Sequence, residues 1–172
     1  MKIHSYEKFW LAASMVIIVG FIVTITYGSI GLGIAMINDS EETIDAGEVT
    51  DHPEFGPAFS GDKAVHQVGE NEYDVYVVAL QFLYRPGEVV VPANSTVNFH
   101  LTSADVIHSF RVVGTNANTM IIPGEIATMT VEANNPGEYG IICSEYCGSG
   151  HHGMEGKLIV QPEDEFQLED GQ

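Results

Sequence analysis

Near its C-terminal end the chain reads CSEYCGSGHHGM over residues 143–154. Two thiols, an imidazole and a thioether occur in this short segment, at the spacing Cys-x3-Cys-x3-His-x2-Met that Cys143, Cys147, His151 and Met154 occupy. Soft thiolate and thioether donors combined with imidazole suit copper. The segment is therefore typical of a loop that joins two strands and wraps its ligands around a metal while the strands fix their geometry.

Short β-type runs lie on both sides of this loop. They are Tyr73–Leu80, Val89–Val91, Thr96–Thr102, His108–Val113, Ala127–Ala133, Glu138–Ile142 and Lys157–Val160. Turn-forming residues separate the runs, as in Pro86-Gly87 and Asn135-Pro136-Gly137. About seven such strands in roughly 90 residues predict an all-β Greek-key sandwich.

A long apolar segment precedes the predicted sandwich. No charged residue occurs from Phe9 to Asn38, and about 20 apolar residues suffice to cross a bilayer. Lys2 and Lys8 precede the segment, and three acidic residues follow it within residues 39–42. The positive-inside rule then predicts a single-pass protein of the cell membrane, with a cytoplasmic N-terminus and the sandwich on the outer side. A cleaved signal peptide is the alternative, but its apolar region is usually shorter.

These features divide the chain of 172 residues into four parts. Residues 1–38 form the cytoplasmic N-terminus and the membrane helix. Residues 39–71 are rich in Asp, Glu, Gly and Pro, which predicts a solvated acidic linker. The folded, metal-binding domain occupies residues 72–162, and residues 163–172 form an acidic tail.

The charge balance excludes one class of function. Acidic residues outnumber basic ones 24 to 6, giving a formal net charge of −18. Such a surface repels nucleic acid, so a nucleic-acid partner is not expected. The acidity is explained either by a well-hydrated surface that tolerates high salt or by a specific cation-binding or docking role.

The metal site needs a second histidine, and His108 supplies it from an earlier predicted strand. A mononuclear blue-copper site uses one cysteine, two histidines and a weak axial methionine, so the second cysteine requires another explanation. Two thiolates can bridge two copper ions, with His108 and Met154 completing one ion and His151 and a main-chain carbonyl completing the other. The alternative is a short-loop disulfide between Cys143 and Cys147, which an oxidising compartment would permit.

At this point a family resemblance becomes specific. The loop resembles the copper-binding loop of cytochrome c oxidase subunit II, whose cupredoxin domain carries the binuclear CuA centre of haem-copper terminal oxidases. The segment Ser103–Phe110 resembles the first-histidine strand of that family, Pro123-Gly124 its central turn, and Pro136–Tyr139 the strand before the first cysteine. The similarity covers residues 73–160, and the single membrane helix resembles the shorter b-type branch.

The resemblance implies the site residues. The ligands of two copper ions would be His108, Cys143, Glu145 through its carbonyl, Cys147, His151 and Met154. The Glu145 carboxylate resembles one that helps to hold magnesium at the interface with subunit I, where its other ligands lie on a different chain. Phe82 takes the position at which many relatives carry a tryptophan for electron input. Asp105 is expected either to orient His108 or to cap a turn, and His152 is expected to be an exposed neighbour of the site.

The implied function is that of the electron-accepting subunit of a respiratory oxidase. It would take electrons from a soluble donor, a cytochrome c or a blue-copper protein, and pass them to haem in subunit I, where oxygen is reduced to water. The chain itself would not reduce oxygen. The alternative is a membrane-anchored copper carrier or metallochaperone with a mononuclear site. Nitrous oxide reductase would add a large catalytic domain, and quinol oxidase relatives have lost the copper ligands.

Overall fold

The chain consists of two units, residues 1–34 and residues 35–172. The computed structural model describes residues 4–31, 37–38, 43–61 and 63–168. The first unit contains one helix, and the second contains the β-strands. Each unit is described by itself below.

The first unit is the helix α1, Ser5–Gly31. Its segment Tyr6–Tyr27 has a mean hydropathy of 2.3 and is long enough to cross a membrane. The charge-free run predicted a helical segment up to Asn38, but α1 ends at Gly31, and Ile37–Asn38 instead pairs with a strand of the second unit. Lys2 and residues 39–42, on which the predicted orientation depends, lie outside the described residues.

Eleven strands, one short α-helix and two 3-10 helices, Val49–Asp51 and His151–Gly153, make up the described part of the second unit. The strands and the α-helix are β1 Ile37–Asn38, α2 Phe55–Ser60, β2 Val65–Gly69, β3 Glu72–Leu80, β4 Leu83–Arg85, β5 Glu88–Pro92, β6 Ser95–Ser103, β7 His108–Val112, β8 Asn118–Ile121, β9 Ala127–Ala133, β10 Gly137–Ile142 and β11 Glu155–Gln161. All seven predicted strands are present, with bounds within two residues of those predicted. Four further strands, β1, β2, β4 and β8, were not predicted.

The strands form two sheets. One has the order β1-β9-β6-β3-β2, and β4 pairs with the C-terminal end of β3, beyond the residues that pair with β2. The other has the order β5-β11-β10-β7-β8. The β3–β6 and β5–β11 pairs are parallel and the other pairs are antiparallel. The prediction of an all-β sandwich with one N-terminal apolar helix is confirmed.

The main core lies between the sheets. Alternate residues of a strand point to opposite faces, so Val75 and Val77 of β3 enter the core together with Phe99 and Leu101 of β6. Phe110 of β7 packs against Phe99, with ring centroids 5.0 Å apart. Burial of these apolar side chains is the main stabilising contribution to the sandwich.

A second cluster changes the description of the predicted linker. Residues 43–61 pack over the other face of the first sheet; buried in this cluster are Ile44, Val49, Phe55, Ala58, Ala64, Tyr76, Val78 and Ile126. The described part of the acidic segment 39–71 is therefore folded, not a solvated tether. The physical reason lies in β3, where residues 75–80 form an uninterrupted apolar run, so apolar side chains lie on both faces of the strand and both must be covered.

The predicted acidic tail also begins with ordered contacts. Phe166 packs against the core, and its ring meets Tyr73 edge-on at 5.7 Å between centroids. The Asn94 amide donates a hydrogen bond to Glu163 at 2.8 Å. Residues 169–172 lie outside the described residues.

Candidate metal centre

The strand order brings the predicted ligand segments to one end of the sandwich. β10 ends at Ile142, and Ile142 is paired with Arg111 of the antiparallel strand β7. His108, the first residue of β7, therefore lies beside the end of β10. β11 begins at Glu155, opposite Ile142, so residues 143–154 form a loop that starts and ends next to His108.

Three buried donors of this end lie together. A ring nitrogen of His108 and the sulfurs of Cys143 and Cys147 are all within 4.8 Å of one another, and they form the only group of this kind among the described residues. Both cysteines are free thiols, so the structure has no disulfide between them. His108 is fully buried, and the two cysteines are at most 8% exposed.

The other predicted ligands surround these thiols. The Sγ atom of Cys147 lies 3.6 Å from Nδ1 of His151 and 3.7 Å from Sδ of Met154. The thiol of Cys143 donates a hydrogen bond to the carbonyl oxygen of Glu145 at 3.1 Å. All six predicted ligand residues are thus brought to one place. His152 is exposed.

One imidazole is oriented by a carboxylate. Nε2 of His108 lies 2.8 Å from Oδ1 of Asp105, whereas Nδ1 of His108 is buried and has no hydrogen-bond partner. A buried polar atom without a partner is rare in proteins. If the Nε2–H donates to Asp105, the lone pair of Nδ1 is left available, which is the usual way in which proteins prepare a metal-binding histidine.

The same contacts keep Asp105 ionised. Burial opposes ionisation of Asp105, but the hydrogen bonds from His108 and from the backbone N–H groups of Gln81 and Val106 outweigh it, and the pKa of Asp105 lies below its ordinary value. Of the two predicted roles, the structure therefore gives Asp105 both: it binds the imidazole of His108, and it accepts from Val106 N at 2.6 Å in the turn before β7.

The thiol of Cys147 differs from Asp105 in this respect. Burial, and then the neighbouring Cys143, raise the pKa of Cys147 to about 11. Burial thus favours the neutral form of the Cys147 thiol. A bound cation reverses that preference, since coordination deprotonates thiols. The donor set therefore fits a soft metal ion.

Buried polar side chains form hydrogen bonds with the segments that carry the ligands. The Tyr84 hydroxyl donates to the carbonyl of Ser109 at 2.6 Å, and the hydroxyl of Ser109 accepts a hydrogen bond from Ser144 N at 2.6 Å. Burial and the proximity of Cys143 hold the pKa of Tyr84 well above its ordinary value, so this hydroxyl remains a donor. These contacts join β4, β7 and the beginning of the loop.

Phe82 lies against the loop itself. An added Cβ atom at Gly148 would be 3.0 Å from the ring of Phe82, and one at Gly150 would overlap the ring. The ring is half-buried and packs against the core. Next to it, the side-chain amide of Gln81 donates a hydrogen bond to the carbonyl of Cys147. Sequence reasoning selected Phe82 but missed Gln81, Tyr84 and Ser109.

An open groove adjoins the group of His108, Cys143 and Cys147. It is lined by Asp105, Val106, Ile107, Pro123, Tyr146, Cys147 and Gly148. Tyr146 is 80% exposed and Ile107 is 45% exposed, so apolar surface surrounds the buried thiols. Such a surface is typical of a site that exchanges contacts with partner proteins.

The fold and this donor set can be compared with known proteins. A family profile described as "Cytochrome C oxidase subunit II, periplasmic domain" matches residues 66–161. The chain belongs to the cytochrome c oxidase subunit II family. The family resemblance noted in the sequence is thereby confirmed.

Similar proteins cover nearly the whole chain. The cytochrome c oxidase subunit 2 of Thermus thermophilus is 40% identical over 92% of this chain and 94% of its own length. A cryo-EM structure of a heme-copper terminal oxidase dimer contains a chain that matches with a TM-score of 0.70 at 29% identity, covering 91% of this chain and 99% of that one. The periplasmic domain of subunit II of the cytochrome oxidase of Bradyrhizobium japonicum matches with a TM-score of 0.51 at 23% identity, over 58% of this chain and 91% of that one, which supports the fold.

The family places the chain in an oxidoreductase complex. As a subunit II of a haem-copper oxidase, it partners with subunit I and serves electron transfer. The family binds copper, and the buried group of His108, Cys143 and Cys147 has the donor atoms and the spacing to hold a metal ion. The apolar helix α1 indicates that the chain is anchored in a membrane.

Proposed function

We infer that the chain is the electron-accepting subunit of a respiratory terminal oxidase and holds a binuclear CuA centre. The residues that would hold the two copper ions are His108, Cys143, Glu145 through its carbonyl, Cys147, His151 and Met154. When bound, the copper pair supplies a one-electron relay between a soluble donor and haem in subunit I, where oxygen is reduced to water.

One observation carries this proposal. Two free buried thiols lie within 4.8 Å of a buried imidazole, whose Nδ1 atom has no partner. A second imidazole and a thioether lie within 4 Å of Cys147. A mononuclear site would leave one buried thiol without a role, whereas two bridging sulfurs use both.

The protein residues would keep the site dry and fixed. His108 and Met154 are buried at 0% and 2% exposure, so water has little access to these donors. Asp105 would accept a hydrogen bond from Nε2 of His108, which leaves Nδ1, the ring nitrogen without a partner, as the donor to a metal. Ligands that are held in place before and after the charge changes make electron transfer fast, because little atomic rearrangement is needed.

We further propose that the soluble donor, a cytochrome c or a blue-copper protein, docks near Phe82. The ring of Phe82 lies on residues 148–150 and is half-buried, so its exposed part offers a short path to the loop. Beyond the end of α1 the chain holds 23 of its 24 acidic residues, all except Glu7. It holds 4 of its 6 basic residues there. This charge attracts a basic donor at low salt, but screening shortens to about 3 Å at 1 M salt, where apolar contact dominates.

Two finer proposals concern the membrane boundary. The positive-inside rule places the N-terminus in the cytoplasm and the β-unit on the outer side. The carbonyl of Glu145 faces Cys143 while its side chain is exposed, so its carboxylate can share a magnesium ion with subunit I. In the purified oxidase, Glu145→Gln should lower bound magnesium and leave copper unchanged; equal loss of both metals would contradict the magnesium role.

Copper analysis of the full chain tests the main proposal. We expect two copper ions per chain and a purple mixed-valence spectrum. Cys147→Ser should abolish that spectrum because it removes one shared sulfur, whereas His152→Ala serves as the matched control and should keep it. One copper ion per chain with a blue, single-thiolate spectrum would refute the binuclear site and favour the copper-carrier alternative.

A further inference from the structure

Gln81 makes two hydrogen bonds that point in different directions. It follows the last residue of β3, in the turn that leads to β4. Its backbone N–H donates to Oδ2 of Asp105 at 2.7 Å. Its side-chain amide donates to the carbonyl of Cys147, which is 66 residues away in the sequence. One residue of the turn between β3 and β4 therefore contacts two separate segments of the metal site.

Through Asp105 the first of these bonds extends to a ligand. The other carboxylate oxygen of Asp105, Oδ1, lies 2.8 Å from Nε2 of His108. The connected groups thus run from His108 through Asp105 and Gln81 to Cys147. Each link joins polar groups by a hydrogen bond, and the two ends are residues that donate to the metal.

The contact with the loop is close. A Cβ atom at Gly148, the residue after Cys147, would stand 2.9 Å from Nε2 of Gln81. Gly148 also has a φ of +135°, a conformation that side chains other than glycine rarely adopt. The loop therefore carries no side chain where the Gln81 amide meets it, and the amide reaches the backbone itself.

We propose that Gln81 is a positioning residue that fixes Cys147 relative to His108, an inference that rests on the proposed copper site. The backbone bond of Gln81 holds the carboxylate that orients the imidazole. Its amide bond holds the carbonyl of the residue whose sulfur is shared. Because Gln81 itself is an exposed residue, it contributes little to the core, and its effect is confined to the geometry of the site.

The variant Gln81→Met tests the positioning role separately from a general contribution of Gln81 to the stability of the fold. Methionine has a similar length but no amide donor, and the variant keeps the backbone bond to Asp105. Replacing a residue that hydrogen-bonds the ligands of a metal commonly weakens metal affinity by about 10–100-fold. We therefore expect copper transfer from the full chain to a chelator to become about 10-fold faster, with a changed copper hyperfine pattern and a shifted reduction potential.

Two further variants control the experiment. Gln67→Met removes an amide that donates to the carbonyl of Gly69 at 3.1 Å in β2, away from the site, and should match the wild type. Gln81→Glu keeps the shape of the side chain but offers an acceptor to the Cys147 carbonyl, so it should have at least the effect of Gln81→Met. If one Gln81 variant does not fold, the other still gives the comparison.

A measurement without metal distinguishes failure of this inference from failure of the proposed function. In the metal-free full chain, backbone hydrogen exchange over residues 143–154 should be faster in Gln81→Met than in the wild type or Gln67→Met. Equal exchange, or unchanged copper release and potential in the copper-loaded variants, would overturn the positioning role. A wild-type chain that binds no copper would refute the copper site, while the exchange comparison would still decide whether Gln81 holds the loop.

Discussion

Replacing Gly150 with alanine perturbs one contact of the metal loop. An added Cβ atom would lie 2.6 Å from Cγ and 2.8 Å from Cε2 of Phe82, whereas carbon atoms pack best at about 3.5–4.0 Å. The backbone of Gly150, with a φ of −93° and a ψ of 5°, is accessible to alanine. The expected cost therefore arises from the ring of Phe82, which must move by roughly 1 Å.

The magnitude follows from two opposing effects. Overpacking of a well-packed site costs about 1–3 kcal/mol. Alanine also reduces the freedom of the unfolded chain, which stabilises a protein by about 0.4–1 kcal/mol. Gly153 lies in the same loop and has nothing within 4 Å of an added Cβ atom, so Gly153→Ala gains the second effect without the first. Gly150→Ala should therefore be less stable than Gly153→Ala by about 1–3 kcal/mol.

Urea unfolding of the metal-free full chain in detergent measures this difference. Near-ultraviolet circular dichroism follows the tyrosines of the β-unit, because the single tryptophan, Trp10, lies in α1. In a Phe82→Ala background the obstructing ring is gone, and Gly150→Ala should then behave like Gly153→Ala. An undiminished cost of Gly150→Ala in that background would show that the ring of Phe82 does not rest on Gly150.

Three further predictions concern the site. Met154→Leu should retain copper but shift its reduction potential in voltammetry, because a thioether is a weak donor that tunes the metal more than it anchors it; an unchanged potential would leave Met154 a packing residue. Phe82→Ala should slow electron input from the physiological donor in stopped-flow mixing while copper content stays constant, and an unaltered rate would make Phe82 an ordinary packing residue. The pKa of Asp105 is lowered by folding, so its contribution to stability is present above its unfolded pKa and is lost as the pH falls through its folded pKa. Acid titration of the unfolding free energy should therefore be flatter in Asp105→Asn than in the wild type, and identical slopes would contradict this assignment.

The strands of the sandwich were predictable because each carries a local signal. Alternating apolar and polar segments such as Ala127–Ala133 end at turn-forming residues, and that strand has the predicted bounds. The fold of residues 43–61 and 63–69 was missed, because their acidic and glycine-rich composition resembles a solvated linker. The signal that could have revealed it lies in β3. Tyr76 and Val78 are apolar at positions where a strand with one face in solvent would carry polar residues, so the outer face of β3 must be covered.

The candidate site, like the fold, was predictable from the sequence only in part. Its ligand residues were predictable because Cys143, Cys147, His151 and Met154 lie in one loop whose spacing carries the chemistry. The contact of Gln81 with Cys147 joins residues that are distant in sequence, and no local pattern encodes it. It depends on where the end of β3 lies relative to the loop, which only the pairing of the strands determines.

The attachments of the loop explain how one site can be both fixed and tunable. Three residues of the loop are held by hydrogen bonds that their own backbone atoms make. Cys143 N donates to Met154 O at 3.4 Å, and Ser144 N donates to the hydroxyl of Ser109. The carbonyl of Cys147 accepts from the side-chain amide of Gln81. Bonds to the backbone set where the sulfurs stand without using any sulfur lone pair, so every donor remains available to a metal. Removal of a cysteine sulfur should therefore abolish the metal centre, whereas removal of one of these attachments should leave the metal bound in altered geometry, with a changed potential. That difference separates residues that hold the metal from residues that hold the ligands.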